Sequence, residues 1–159
     1  MNIYERRDWS LKVRNPDPQF AFKEKVAVLA TEFLEQPQVS CPLTHIFERG
    51  FYIREIAIPA DTLFIGRPHR HGHKCELVKG ELLHVTPYGR LERQAPFALV
   101  TLPGYQVVIY AITDVIGRTY HPDSGERDTD KLEAEIFESV ESVKELGLKV
   151  QHRLLEAQI

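Results

Sequence analysis

The chain lacks the residue patterns that mark several common protein classes. It has two cysteines, Cys41 and Cys75, in 159 residues and no CxxC pair. That is far below the cysteine density of a secreted disulfide scaffold and favours a reducing compartment. No GxGxxG motif, P-loop or nucleophile elbow is present. The sequence therefore gives no support for a nucleotide cofactor or for covalent serine or cysteine chemistry.

Long apolar runs and basic clusters are also missing. No stretch approaches the roughly 20 apolar residues of a transmembrane helix, and the N-terminus lacks the apolar core of a signal peptide. Lysines and arginines are scattered, and the formal net charge is −3. This balance argues against a nucleic-acid surface or a polybasic membrane patch. We therefore expect a cytoplasmic protein without nucleic-acid or membrane partners.

The length of the chain predicts one domain over residues 1–159, and its hydrophobic patterns predict helices at both ends. Asp17-Pro18 predicts a helix start, and an N-terminal helix over 17–36 carries an apolar stripe that faces the core or a second subunit. A second amphipathic pattern begins near a capping-box-like pair, Asp130 and Glu133, and predicts a helical segment over 128–159 that Gly147 breaks or caps. The N-terminal stripe consists of Phe22, Val26, Leu29 and Phe33.

Between these helices, short β-branched and aromatic runs alternate with glycine, proline and aspartate. This texture is typical of an antiparallel β domain, and eight or nine closely spaced strands predict a sandwich or small barrel over 39–122. We expect a hairpin around Gly80 and another between the last two strands. The predicted strands are 43–47, 52–58, 62–66, 69–78, 81–86, 91–94, 97–102, 106–111 and 115–121.

Three histidines at every second position, His69, His71 and His73, are the strongest candidates for a site. In a strand they project from one face, and neutral imidazole is a common ligand for zinc, iron, nickel and copper. A straight strand, however, holds His69 and His73 about 13 Å apart, too far to share an ion. A metal site therefore requires a bend at Gly72. The alternative is a solvated, histidine-rich segment without metal.

The stretch from 52 to 122 resembles the cupin family of small β-barrels. The features that carry the resemblance are the clustered histidines, the Gly80-Glu81 turn and Pro103-Gly104 before a later strand. Residues 37–42, the Arg54-Glu55-Ile56 run and His121-Pro122 also resemble a divergent cupin-like group encoded in phage and bacterial genomes. The resemblance implies a mainly β, double-stranded β-helix, or jelly-roll barrel, and a homodimer.

The first histidine motif of that family aligns in two registers. If His69 and His71 form the pair, Glu76 falls at the acid position, but Gly80 then comes three residues early. Aligning on Gly80 keeps the turn and places His69 and His73 in histidine and acid positions.

The second motif is incomplete, because Gln106, Val107 or Val108 stands where its histidine is expected. The divergent group implies His121 as the replacement. The resemblance thus implies His69, His73 and His121 as metal ligands, with His71 as an extra or alternate ligand.

Other residues are weaker candidates. Glu76 is either a catalytic base or a carboxylate paired with a lysine or arginine. Arg67, Tyr110 and Tyr120 either line the barrel mouth and bind a small-molecule carboxylate or phosphate, or pack structurally. Cys75 is a soft ligand or a core residue, and His84 is the remaining histidine best placed to enter the cavity.

The function expected from these residues is binding of a divalent transition metal (Fe, Ni, Mn or Zn) beside a small polar molecule in the barrel. Isomerase, hydrolase and dioxygenase chemistry are all compatible with such a site. The rival expectation is a non-catalytic ligand-binding or protein-interaction barrel in which the histidines are structural.

Overall fold

The computed structural model describes residues 18–156, which contain nine strands and three helices. The predicted cap at Asp17, the rest of the N-terminal segment and residues 157–159 lie outside the described residues. The elements are α1 (Pro18–Phe33), β1 (Leu43–Glu48), β2 (Phe51–Ile58), β3 (Thr62–Ile65), β4 (Lys74–Lys79), β5 (Glu81–Thr86), β6 (Gly89–Gln94), β7 (Phe97–Val100), β8 (Val108–Ala111), β9 (Val115–Pro122), α2 (Thr129–Ile136) and α3 (Val140–Glu156).

The strands form two antiparallel sheets. One has the order β1-β2-β9-β4-β7, and the other has the order β3-β8-β5-β6. Apart from β1 at an edge, this is the strand order of an eight-stranded jelly roll, in which the chain crosses repeatedly between two facing sheets. The predicted jelly-roll barrel with a helical segment at each end is confirmed. Its apolar core lies between the sheets and includes Ile58, Leu77, Leu82, Ile109, Ala111 and Val115.

Neither of the two predicted hairpins is present, and both predictions are wrong for the same physical reason. β4 and β5 flank Gly80 but belong to different sheets, and so do β8 and β9. The segment that joins β4 to β5 lies beside the segment that joins β8 to β9. The Glu81 amide at the end of the first donates to the Thr113 hydroxyl of the second at 2.9 Å. Gly80 has φ +96°, and a Cβ there would collide with the Asp114 carbonyl. The turn residues therefore mark corners between sheets rather than hairpin loops.

One predicted feature of the helices is also wrong. Gly147 neither breaks nor caps a helix, because it lies within α3 where this helix crosses α1. A Cβ at this position would lie 2.8 Å from the Ala27 carbonyl oxygen, so only glycine permits the close approach. Within the predicted stripe, Val26 is buried, but Leu29 is 40% exposed. No helix in residues 18–156 combines the length and apolarity needed to cross a membrane.

The C-terminal segment divides at residues 137–139 rather than at Gly147. The N-cap of α2 is Asp128, whose side chain accepts from the Asp130 and Lys131 amides, and not the predicted Asp130. After α2 the backbone becomes extended at Phe137, which forms a β-bridge with His69. This bridge ties the end of α2 to the histidine segment.

Candidate functional site

Three histidines from two separate parts of the chain converge between the barrel and α2. His69 lies in the irregular segment between β3 and β4, His73 directly precedes β4, and His121 lies near the end of β9. The ring centroids are 3.9 Å apart for His69 and His73, 5.1 Å for His73 and His121, and 5.7 Å for His69 and His121. All three residues are at most 7% exposed. We call these residues the histidine cluster.

The convergence depends on a bend in the segment before β4. Residues 66–73 are not part of a strand, so the predicted strand over 69–78 is wrong in its first half. The Thr101 amide donates to the His73 carbonyl at 2.8 Å, and a Cβ on Gly72 would lie 2.6 Å from the Thr101 carbonyl oxygen. His121 joins the cluster through the pairing of β9 with β2 and β4, and not with β8 as expected.

The hydrogen bonds of the three rings differ. Neither ring nitrogen of His69 makes a hydrogen bond, although both are buried. The Nδ1 atom of His73 lies 3.0 Å from the Thr101 hydroxyl, and its Nε2 atom lies 3.2 Å from the Cys75 sulfur. The Nε2 atom of His121 lies 3.0 Å from the Thr119 hydroxyl. His69 is thus the ring whose bonding capacity is unused, and such buried orphans are rare in proteins.

The rings are held in their neutral form. Burial, followed by the charges of His73 and His121, lowers the pKa of His69 to about 3, against a smaller opposing effect from the Tyr105 backbone. Burial, followed by the charges of His73 and Arg54, lowers the pKa of His121 to about 3. The pKa of His73 is also lowered, mainly by burial. Neutral imidazole is the form that binds metals.

Three imidazoles are suitable donors for a transition metal, but in the observed orientations their ring nitrogens do not converge on one metal position. Within residues 18–156, no group of three or more His, Cys, Asp or Glu side chains is arranged to hold a metal ion. The His69 and His73 rings are stacked at an interplanar angle of 27°, so their nitrogens do not point at a common centre. Rotation of these rings would be needed for shared coordination.

A cavity of about 370 Å³ extends from His69 into the barrel. This volume falls in the range of small-molecule sites. Its walls are mainly apolar side chains from both sheets, and two sets of polar groups in the wall are described below. The apolar lining includes Leu43, Ile56, Ile58, Phe64, Leu77, Leu82, Leu99, Val107, Ile109 and Val115.

One polar set, here called the arginine pair, consists of Arg54 and Arg67 around Phe137. Their guanidinium carbons lie 4.8 and 5.0 Å from the centroid of the Phe137 ring. Glu133 of α2 lies 3.5 Å from Arg54 Nη2 and 3.6 Å from Arg67 Nη1. Arg67 also donates to the Glu138 carbonyl at 2.9 Å. Helix α2 and the extended backbone after it therefore place a carboxylate and an aromatic ring, respectively, against the cavity wall.

The other polar set contains His84, Tyr105 and Arg93. The Tyr105 hydroxyl lies 2.8 Å from His84 Nε2. Arg93 lies on β6 with its guanidinium carbon 4.3 Å from the Phe97 ring centroid. Its Nε atom is buried and has no hydrogen-bond partner. His84 thus lies in the cavity wall, the position anticipated from its strand.

His71 and Glu76, two of the predicted site residues, do not join the histidine cluster. His71 is exposed between the two buried histidines. Glu76 borders the cavity, but its Oε1 atom accepts from the Tyr120 hydroxyl at 3.1 Å and its Oε2 atom pairs with Lys74 Nζ at 3.3 Å. The Glu76 carboxylate is therefore paired with a lysine, which is the structural alternative to a role as catalytic base.

The three residues predicted at the barrel mouth occupy different places. Arg67 lines the cavity. Tyr110 instead donates to Asp61 at 2.9 Å and is not among the cavity-lining residues. Tyr120 lies next to Lys74, whose ammonium is 4.9 Å from the centroid of its ring, and is likewise absent from the cavity wall.

Sequence reasoning missed Arg54, Arg93, Tyr105 and Phe137 as cavity residues. The sequence pattern could have indicated Arg93. This residue lies opposite Leu82 in the β5–β6 pair, and side chains of directly opposite residues lie on the same face of a sheet, so Arg93 faces inward with a core residue. Phe137 carried no such signal, since its position depends on the bridge to His69.

Comparison with known proteins adds little beyond the fold. No protein-family model and no curated protein matches the chain. Similar solved structures include a cupin domain from Bordetella pertussis Tohama I, with 18% identity, a TM-score of 0.41 and coverage of 55% of this chain and 97% of that chain. Ectoine synthase from P. lautus has 12% identity and a TM-score of 0.45, covering 54% of this chain and 67% of its own. At such values the similarity supports no functional statement, and the jelly-roll assignment rests on the strand order.

Proposed function

We propose that the barrel cavity binds a small molecule and that His69, His73 and His121 bind a divalent transition metal at its edge. The observation that carries the proposal is the pair of buried, unpartnered ring nitrogens on His69, which borders the cavity beside two further neutral imidazoles. Leaving such atoms unpaired is costly, and a metal would use one of them as a ligand. Three protein ligands leave coordination positions open for a bound molecule.

Iron, nickel, manganese and zinc are the candidate metals. When bound, such an ion polarises a carbonyl or activates water, and iron also binds dioxygen. The chain itself supplies apolar walls that exclude water and arginines that orient a polar ligand. In the observed ring orientations the Thr101 and Thr119 hydroxyls contact the rings of His73 and His121, and rotation of His73 toward a metal would break the Thr101 contact.

Elemental analysis of tag-free protein tests the metal proposal. Wild-type protein reconstituted with each metal should retain close to one equivalent, because the three donors act together. A His69→Ala, His73→Ala double variant should lose it. His71→Ala is the matched control, because His71 lies in the same segment but is exposed. Retention below about a tenth of an equivalent in wild-type protein for all four metals would contradict metal binding.

A non-catalytic ligand-binding barrel is the second candidate, and two observations favour it. No metal-holding group of three is formed within residues 18–156 in the observed ring orientations. The two carboxylates that border the cavity, Glu76 and Glu133, are both ion-paired. If metal is bound, oxygen-consumption and metabolite-turnover assays separate the candidates. Ligand binding without turnover supports the binding module.

Homodimerisation is retained as a proposal from the family resemblance. The helix stripe offered as a dimer face is partly used within the chain, because α1 packs against α3. Sedimentation velocity at micromolar concentration should give the mass of two chains. A monomer under these conditions would contradict the proposal.

A further inference from the structure

Arg93 is a cation for which the described structure offers no counter-charge. Its Nε atom is buried without a hydrogen-bond partner, and no acidic side chain forms an ion pair with it within residues 18–156. Its guanidinium contacts the face of Phe97, and the side chain lines the cavity. A partly buried cation without an acceptor is unfavourable, so a group that supplies one would be bound with a gain in free energy.

The neighbouring titratable groups do not compensate Arg93 by ionising. Burial, followed by the charge of Arg93, lowers the pKa of His84 and keeps it neutral. Burial raises the pKa of Tyr105, so its phenol stays protonated. The positive charge at this part of the wall is therefore left without a negative partner from these groups.

The remaining charges of the cavity wall also leave a positive surplus. Arg54 and Arg67 share the single carboxylate of Glu133. Arg118 is paired with Glu55, and Glu76 is paired with Lys74, so these pairs cancel. The rest of the lining is largely apolar. Such a cavity favours a molecule with an apolar body and a negative head group.

We propose that Arg93 forms an anion subsite that binds the carboxylate of a small organic acid, with the apolar part of the acid in the barrel. A guanidinium binds carboxylate through two parallel hydrogen bonds, and its Nε atom is one of the donors in this geometry. Phe97 holds the guanidinium from one face and leaves its edge for the ligand. This inference rests on the proposed ligand cavity but not on the proposed metal.

The test compares matched acids and amides. Phenylacetate and hexanoate are titrated into the full chain by calorimetry, beside phenylacetamide, hexanamide and inorganic phosphate, with and without chelator. The acids should bind wild-type protein more tightly than their amides. Arg93→Met should weaken acid binding by about ten- to a hundredfold, the usual effect of a charge-assisted hydrogen-bond pair, and leave amide binding unchanged.

Arg90→Met is the matched control, because Arg90 lies on the same strand but is exposed. It removes the same charge and should leave acid binding intact. Arg93→Lys keeps the charge and serves if Arg93→Met does not fold. It should retain part of the preference for acids. Ligand-free Arg93→Met should melt no lower than Arg90→Met, because it loses an unpaired charge.

Each contrary result overturns the anion subsite. These are equal binding of acids and amides, loss of acid binding in Arg90→Met as large as in Arg93→Met, or binding of phosphate but no carboxylate. A dissociation constant above about 10 mM for both acids would also overturn the anion subsite. Amide binding with no preference for acids would leave the proposed cavity standing and remove only this inference. If the acids still bind in the presence of chelator, the anion subsite does not require a bound metal.

Discussion

Acidification should destabilise the metal-free protein because the histidine cluster is buried in its neutral form. The folded-state pKa values of His69 and His121 are both about 3, against an ordinary value of 6.5. Between these values the unfolded chain binds protons that the folded chain does not. The stabilisation is therefore present above pH 6.5 and is lost progressively as the pH falls toward 3.

The magnitude follows from proton linkage. Between about pH 7 and pH 5, each of these two rings contributes a loss of roughly 2 kcal/mol, or about 4 kcal/mol together if they act independently. The lowered pKa values of His73 and His84 act in the same direction. For a chain of this size the loss corresponds to a fall in Tm of roughly 8–15 °C.

Urea unfolding at several pH values, in the presence of a chelator, measures the loss. His69→Gln should reduce the difference in unfolding free energy between about pH 7 and pH 5 by roughly 2 kcal/mol. His71→Gln, which removes an exposed imidazole from the same segment, should run parallel to wild type. A wild-type loss below about 1 kcal/mol, or a His69→Gln profile parallel to wild type, would refute the burial of neutral imidazoles.

Four further substitutions test helix packing, cavity packing and helix capping by urea unfolding. Gly147→Ala should cost about 1–3 kcal/mol, because its Cβ would meet the Ala27 carbonyl, and an unchanged midpoint would contradict the close helix crossing. Phe137→Ala should cost about 3–5 kcal/mol and weaken ligand binding, because it removes the ring between the two arginines of the pair. Asp128→Ala should cost about 1 kcal/mol through loss of the α2 cap, and Asp130→Ala should cost less.

The sequence predicts where the strands lie along the chain better than it predicts which strands pair. Alternation and turn residues locate most strand segments because these signals are local, such as the run from Glu81 to Thr86. Pairing is not local. Gly80 and the Thr113-Asp114 turn look like hairpin loops, yet each carries the chain between sheets because the two corners contact one another. No feature of either segment alone encodes that contact.

The sequence predicts the members of the histidine cluster and the need for a bend at Gly72, but not the contact that holds the bend. Alternation placed His69, His71 and His73 on one face of a strand, whereas the chain bends and leaves only His71 exposed. The bend depends on Thr101, which bonds the backbone of His73 from a distant part of the chain. Gly72 was a usable signal, since its missing side chain permits the approach of the Thr101 carbonyl.

The cavity chemistry depends on a contact that joins the two halves of the site. The β-bridge between His69 and Phe137 places one residue in the histidine cluster and the other in the arginine pair. The ring centroids of these two residues lie 4.5 Å apart, so a rotation of the His69 imidazole toward a metal must be accommodated by Phe137. Phe137 in turn contacts both guanidinium groups beside the cavity. Metal binding and ligand binding should therefore be energetically coupled through Phe137, and each should strengthen or weaken the other by the same factor.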